Sequence, residues 1–383
     1  MDRSQNASPG VSIITPTHKR VDLVTQLLVS LQSARQRYPG ETEVLIVDSS
    51  PGFESEQILK ACKDRDATYH AMSNNVRQKR NWGIENAQYP VILFIDSDCI
   101  ADENLINEHA RFYESDAIPE LGGVVGLTNF VGADNWVWRI IQRSSTLDVF
   151  SYPKCHKVVP WGPTCNISYR REVLEEVGLF DETFPFVLGG DDTDLGLRVT
   201  DSGHKILTNE LAIVDHEKRT WTRVYDIVQR RFRWGRMHYY LMQKHSHRVT
   251  VVPPTQTTIF LVLAFLFLPL AFFSSLFYWA FFPLLWLILE ILFEALFNSR
   301  GKGRQPVEFF YAMGASALTL LYQVGTIVEG MKNLSVMPLF KDASITPPSK
   351  DGRVRGLAQL WAKIMAFPIS VMFLLLVQFI LGS

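Results

Sequence analysis

The 383-residue chain predicts an α/β fold, a mostly parallel sheet flanked by helices, followed by a C-terminal helical transmembrane region. Three observations carry that expectation. Short apolar runs rich in β-branched residues alternate with helix-period segments up to about residue 250, the pattern of strand–helix–strand units. Three of those runs end in groups able to hold a ligand, and open α/β sheets bind ligands at the carboxyl ends of their strands. Beyond Val251 the chain turns strongly apolar, dominated by Phe and Leu, which marks a membrane region after a soluble one.

Taken in order, Val11-Ser-Ile-Ile-Thr15 reads as a buried strand, and Pro16-Thr17-His18-Lys19-Arg20 as its loop. A helix over 21–35 follows, with Leu23, Leu27, Leu28 and Leu31 on one face. Glu43-Val-Leu-Ile-Val-Asp48 is a second strand closed by an acid. A helix near 54–63 and a short strand at 67–71 continue the alternation, and a basic turn, Asn74 to Gly83, leads into the next helix. Pro90-Val-Ile-Leu-Phe-Ile-Asp96-Ser97-Asp98 is a strand that ends in two carboxylates. Acids two residues apart share a face while the strand stays extended, and as it unwinds into a loop both can turn toward one hard cation such as Mg²⁺ or Mn²⁺. No G-x-G-x-x-G follows the first strand and no G-x-x-x-x-G-K-[ST] occurs, which disfavours a dinucleotide-binding domain and a P-loop ATPase. Acids, a metal and the guanidinium of Arg80 together suit a nucleoside diphosphate.

A second constellation lies further on. Gly189-Gly190-Asp191-Asp192-Thr193-Asp194 opens a helix, where paired glycines allow a tight turn and acids suit the positive helix end. Such acids serve either as helix caps or, beside a bound diphosphate-sugar, as a general base. His216, after a strand at 211–214, offers an imidazole to a metal. The four cysteines (Cys62, Cys99, Cys155 and Cys165) lack Cys-x-x-Cys spacing, so reduced thiols are expected rather than a disulfide scaffold or a zinc site. The opening Met-Asp-Arg-Ser-Gln-Asn has no apolar signal-peptide stretch, so the soluble part is expected on the cytoplasmic side.

From Val11 to Arg236 these pieces resemble the inverting family 2 glycosyltransferases of GT-A fold, and they come in that family's order. The pieces are Pro16-Thr17, Val47-Asp48, Arg80-Asn81-x-Gly83, Asp96-Ser97-Asp98, Gly162-x-x-x-Asn166, Val177-Gly178-Leu-Phe180-Asp181, Gly190-Asp191-Asp192-x-Asp194 and Asp215-His216. The resemblance implies a nucleotide-sugar site made of Thr15, Pro16, Asp48, Arg80 and Asp96, with Asp98 and His216 holding Mg²⁺ or Mn²⁺. It implies Asp192 as catalytic base within the Asp191-Asp192 pair, and an acceptor side at Arg233 and Trp234. The family's Asp-Asp-Gly-Ser is replaced by Asp48-Ser-Ser-Pro here, so the nucleotide's base stays unassigned. The pair is Asp-Asp rather than Glu-Asp, which leaves open which acid does which job. Gln229-Arg-Arg-Phe-Arg233-Trp234 is one residue longer than the Gln-x-x-Arg-Trp of processive synthases, which favours transfer of one sugar over polymerisation.

The expected organisation is a GT-A domain at 1–217, a basic and aromatic interfacial helix region at 218–257, and a transmembrane region of three or four helices at 258–383. The arginines and aromatics of 218–248 suit the anionic leaflet of a membrane rather than nucleic acid. Expected spans are 259–275, 276–297 and a short last one at 367–381, while 309–328 either spans or is re-entrant. Arg300, Lys302 and Arg304 form a cytoplasmic loop by the positive-inside rule. Glu290 and Glu294 share a helix face, as functional acids or as groups reaching water near a helix end. The expected product is a multi-pass enzyme of the cell membrane with a cytoplasmic catalytic domain. Its donor would be a nucleotide-sugar, its acceptor a lipid-linked intermediate or surface polysaccharide, and membrane lipids its surroundings. The alternatives are a processive polysaccharide synthase or a non-catalytic membrane scaffold that binds a nucleotide or polyanion.

Overall fold

A computed structural model describes residues 8–114, 118–185, 189–299, 306–347 and 350–381. The chain divides into two compact units: Met1–Ala133, Asp148–Arg219 and Ile345–Pro347 form the first, and Asp134–Leu147, Thr220–Ser344 and Pro348–Ser383 the second.

The first unit opens with β1 (Val11–Thr17), α1 (Val21–Arg37), β2 (Thr42–Asp48), α2 (Gly52–Lys63), β3 (Thr68–Ala71), α3 (Val76–Glu85) and β4 (Val91–Phe94). It continues through β5 (Cys99–Ala101), α4 (Leu105–Ala110) and β6 (Leu121–Val131), after which α5 (Trp136–Arg143) belongs to the second unit. The elements β7 (Val158–Val159), β8 (Ile167–Arg170), α6 (Arg171–Val177), α7 (Asp191–Asp201) and β9 (Lys205–Glu217) complete the first. The sheet runs β3-β2-β1-β4-β8-β6-β9-β5, with β7 alongside β9. Neighbours from β3 to β4 are parallel, as are β6 and β9, whereas β8 is antiparallel to both β4 and β6.

Every residue of β1 and β4 is buried. Strands covered on both faces read as unbroken apolar runs, which is why both were visible in the sequence. The apolar face predicted for α1 is buried against the sheet, joined by Val24 and Ala34. Gly83 seats α3 on β1, because a Cβ there would lie 2.5 Å from Ile14 Cγ2. The core around Ile14, Phe94, Ile167, Tyr169 and Leu195 includes the edge-to-face pair Phe94–Phe180, with centroids 5.4 Å apart. The strand stops short of the acids: β4 ends at Phe94, and Asp96 and Asp98 sit in the turn before β5. Cys99 N–H donates to the Asp96 carbonyl at 3.1 Å, so the chain turns at the acids themselves.

A buried polar chain ties the mixed half together. Asn166 Nδ2 donates to the carbonyls of Leu127 (3.0 Å) and Ala212 (2.9 Å), bridging β6 and β9 where their register shifts between Gly126 and Leu127. Its Oδ1 therefore accepts from His109 Nε2 at 2.9 Å. His109 Nδ1 then accepts from Ser168 Oγ (2.8 Å), which in turn accepts from the Tyr113 hydroxyl (2.9 Å). Each buried donor has a partner, the condition under which such a network stabilises a core.

The second unit contains α8 (Val224–Lys244), β10 (Val249–Val251), α9 (Gln256–Phe267), α10 (Phe282–Ser299), α11 (Pro306–Lys332), β11 (Lys341–Ala343) and α12 (Lys350–Leu381). Among the described residues, three helical stretches are long and apolar enough to cross a membrane: Leu276–Ser299, Val307–Lys332 and Gly356–Ile380. The expected span at 259–275 is instead part of a shorter apolar stretch, Gln256–Phe272, whose last residues relax into a 3₁₀ turn containing Pro269. The undecided 309–328 segment lies within one continuous helix, and the last span is longer than 367–381. The basic loop at 300–304 lies outside the described residues. Glu290 and Glu294 do not reach water: both are buried and accept from Gln256 Nε2, at 2.6 and 3.0 Å.

Within this unit α8 and α11 touch backbone to backbone. A Cβ on Gly325 would lie 3.1 Å from Arg236 N and 3.2 Å from Gly235 Cα, the small-residue contact that lets helices approach closely. Thr326 Oγ1 donates to the Gly235 carbonyl at 2.9 Å, and Arg236 Nε pairs with Glu329 at 2.6 Å.

Burial holds the His109 imidazole down at about 4. The unfolded chain therefore binds its proton first as pH falls, so stability is lost between about 6.5 and 4. The contribution is about 3 kcal/mol by linkage. Thermal unfolding of the full chain across that range should show it, and His109→Gln should lose less stability than wild type over the same window.

Candidate active site

The site grows from α3, a helix that buries charge. Asn75 caps it by accepting from Arg77 N–H at 3.1 Å, and Arg77, Lys79, Arg80 and Asn81 are all buried. Arg77 donates to the carbonyls of Phe184 (3.2 Å) and Gly189 (3.4 Å), with its guanidinium 5.3 Å from the Phe184 ring centroid. Asn81 clamps Phe180 in both directions: its Nδ2 donates to the Phe180 carbonyl at 2.8 Å, and its Oδ1 accepts from Phe180 N–H at 2.8 Å. Arg80, over the Phe180 ring at 5.3 Å, pairs with Asp191 through Nη1 and reaches Asp96 Oδ1 from Nη2 at 3.4 Å.

The tight turn predicted before α7 is present, with Gly189 and Gly190 both at positive φ (99° and 79°). Neither Asp191 nor Asp192 accepts the capping hydrogen bond of that helix. Asp191 is committed to Arg80, whereas Asp192 Oδ1 accepts from the adjacent Thr193 N–H at 2.8 Å. Desolvation and then the charge of Asp191 push the Asp192 carboxyl up to about 7. Asp194 is structural, since it pairs with Arg198 at 2.9 Å and Arg198 donates to the carbonyls of Val177, Gly178 and Leu179.

The two acids of the D-x-D turn take different partners. Asp96 faces Arg80, while Asp98 Oδ2 accepts from Arg20 Nη1 at 2.8 Å and Asp98 Oδ1 lies 3.4 Å from His216 Nε2. Arg20 adopts φ 63° at the start of α1, an uncommon conformation for a non-glycine residue. His216 Nδ1 is 3.0 Å from the Glu217 carbonyl, so Nδ1 carries the hydrogen and Nε2 is the atom turned toward Asp98. A carboxylate and an imidazole oriented by a carbonyl fit a divalent cation. The clusters share one electrostatic region: besides desolvation, which raises it, the Asp96 carboxyl feels Arg80, Asp98, His216 and Arg20.

At the neighbouring strand ends, Asp48 is fully buried and accepts three hydrogen bonds. Its Oδ1 accepts from Ser50 N–H (3.0 Å) and Ser50 Oγ (2.6 Å), and its Oδ2 from the Tyr69 hydroxyl (3.0 Å). Lys79 Nζ donates to the Thr17 carbonyl (2.6 Å) and to Ser49 Oγ (2.7 Å), and burial holds its amine down at about 8. The Thr15 hydroxyl is buried without a hydrogen-bond partner among the described residues, and Pro16 lies in register with Val47. Arg233 and Trp234 belong to the second unit, where Trp234 packs edge-on against Trp221 at 6.1 Å.

Residues 12–178 match the model of Glycosyl transferase family 2. This stretch is a family 2 glycosyltransferase domain. A pre-mycofactocin glycosyltransferase from Mycobacterium tuberculosis is 24% identical over 230 residues, covering 59% of this chain and 46% of its own. Glycosyltransferase AglE of Haloferax volcanii is 22% identical over 236 residues, covering 60% of this chain and 72% of its own. The chain thus spans about half the length of the first of these relatives. A mannosyltransferase from Pyrobaculum calidifontis, solved with GDP-mannose and Mn²⁺, is 18% identical over 93% of this chain and 88% of its own, with a TM-score of 0.47. The mostly parallel sheet with flanking helices resembles the GT-A arrangement.

Sequence reasoning placed Arg20 in a ligand-bearing loop without naming its partner, and passed over Lys79, Arg77 and Tyr69. Arg77 and Arg80 are three apart, and therefore on one face of α3 together with the seated Gly83 and Ile84; that spacing was the signal available. Removing Arg80 leaves Asp191 buried and unpaired, which costs roughly 3–5 kcal/mol. Arg80→Met should lower the unfolding midpoint accordingly, and adding Asp191→Asn should recover most of the loss.

Proposed function

We propose that the chain is an inverting glycosyltransferase that moves one sugar from a nucleotide-diphosphate-sugar to a hydroxyl acceptor at the cytoplasmic membrane surface. The observation that carries this reading is a buried guanidinium, Arg80, joining Asp191 of one loop to Asp96 of another, with the carboxyl of Asp192 raised to about 7 beside it. Because Asp191 is spent on Arg80, Asp192 is the acid assigned to proton transfer. It takes the acceptor's hydroxyl proton while the acceptor oxygen bonds to C1 and the bond from C1 to the diphosphate breaks on the opposite face, which inverts that carbon. Arg80 offsets negative charge on the departing diphosphate. A divalent cation would be held by Asp98 and His216 and supply further charge neutralisation. Asp48, Thr15 and Pro16 are assigned to the nucleotide, and Arg233 and Trp234 to the acceptor side.

Both relatives named above are called glycosyltransferases, which agrees with this assignment. Three helices of membrane-crossing length favour an acceptor met at the bilayer, either a lipid-linked intermediate or a growing surface polysaccharide. The interfacial region at 218–257 and the cytoplasmic side for the catalytic domain belong to the same proposal. Nucleotide release from a panel of nucleotide-sugars, with and without detergent-solubilised lipid acceptors, tests it. A chain that binds these donors without ever turning them over would be a scaffold instead.

General-base assistance contributes ~10²–10⁴-fold, so Asp192→Asn should lose about that factor in kcat while donor affinity stays near wild type. Only the ionised carboxylate accepts a proton, so kcat/KM should rise with pH up to about 7 and level off above it. The Asp192→Asn residual rate should lack that limb. Chelation by EDTA should stop donor hydrolysis, and Asp98→Ala should weaken donor binding in the presence of metal but not in its absence, as read by equilibrium titration.

A further inference from the structure

We propose that Cys99 is a third ligand beside Asp98 and His216, making this a site for a zinc-class divalent cation rather than one suited to Mg²⁺. The proposal rests on the glycosyltransferase reading only in placing that cation beside a diphosphate. Cys99 and His216 are register partners across the antiparallel β5–β9 pair, and cross-strand partners project from the same face of a sheet. Asp98 precedes Cys99 directly, and its backbone carbonyl is pinned by Glu217 N–H at 2.8 Å. One carboxylate oxygen, one sulfur and one imidazole nitrogen, all from buried residues, lie within 4.8 Å of one another. Ligands around a single zinc ion stand ~2.0–2.3 Å from the metal, so small side-chain rotations close the set.

The surroundings of Asp98 and His216 already fix their orientation, and the Cys99 thiol, which donates to the Cys165 carbonyl at 3.9 Å, would leave that contact to join them. Arg20 holds Asp98 Oδ2 at 2.8 Å, which leaves Oδ1 toward His216, and the Glu217 carbonyl fixes the imidazole through Nδ1. Such outer partners are the usual support of metal ligands. Three protein donors of O, S and N type with a fourth position open are the pattern of a reactive zinc site. Mg²⁺, by contrast, takes oxygen ligands and avoids thiolate. When the ion binds, the Cys99 sulfur–hydrogen bond breaks, its proton passes to solvent, and a sulfur–metal bond forms, one proton per ion. No Cys-x-x-Cys spacing announces this site, because its ligands come from two strands far apart in sequence.

Co²⁺ is the probe. Titrated into the full chain in detergent, in a Cys155→Ser background that removes the exposed thiol, it should give a near-ultraviolet sulfur-to-cobalt charge-transfer band. Intense visible bands of four-coordinate cobalt should accompany it, and excess Mg²⁺ should displace neither. Cys99→Ser should abolish the charge-transfer band, and Cys99→Ala, which adds no polar group to the buried strand, should do the same. Weak six-coordinate cobalt bands without charge transfer, or a charge-transfer band that survives both substitutions, would overturn the proposal. The spectrum needs neither donor nor turnover, so its failure leaves the transfer reading standing. An intact band in a chain that never hydrolyses a nucleotide-sugar would sink the transfer reading alone.

Discussion

A guanidinium taken out of water must be paired, and Arg80 meets that constraint by holding two loops at once. Its partners, Asp191 and Asp96, come from either side of the β8–α6 segment in sequence, and the ring of Phe180 lies across its face. Burying charge this way gains little net stability, but breaking it is costly. The ion pair therefore acts as a fastener more than as a source of stability. Asn81, one residue on, repeats the fastening with neutral hydrogen bonds to Phe180, and Gly83 completes the seat against Ile14.

The strands facing this helix were legible because they are covered on both sides. Val11–Thr17 and Val91–Phe94 carry no exposed position, so no polar alternation interrupts their apolar runs. The turn at Asp96 was less legible. An aliphatic Ile95 and two acids read as a strand carried to its end, whereas one backbone bond from Cys99 to Asp96 closes the chain earlier. Register is set by neighbours, and nothing in the segment itself records them. The apolar tail misled in a similar way. Hydropathy marks Gln256–Phe272 as greasy, but Pro269 removes a helix donor near its end and the helix loosens there.

For the site, residue types were readable and partners were not. Asp98 and His216 were expected near one cation and they do face each other, although Arg20 at their side gave no periodic signal. Asp48 was expected in the nucleotide site, and its carboxylate accepts from Ser50 and Tyr69. The Ser49-Ser50 pair, which departs from the family pattern, supplies the Ser50 donors and also anchors Lys79. A sequence shows that a motif has changed. The contacts show what the changed residues bond to.

The bare crossing of Gly235 and Gly325 has a consequence for depth. Helices separated by side chains can slide, since long rotamers accommodate a small shift. Where peptide planes meet directly, and Thr326 bonds across the seam, there is one height at which they fit. Since α11 includes a stretch long enough to traverse a bilayer, that single notch works like a fixed rung. It sets the level at which Trp234 and the arginines of α8 stand along α11.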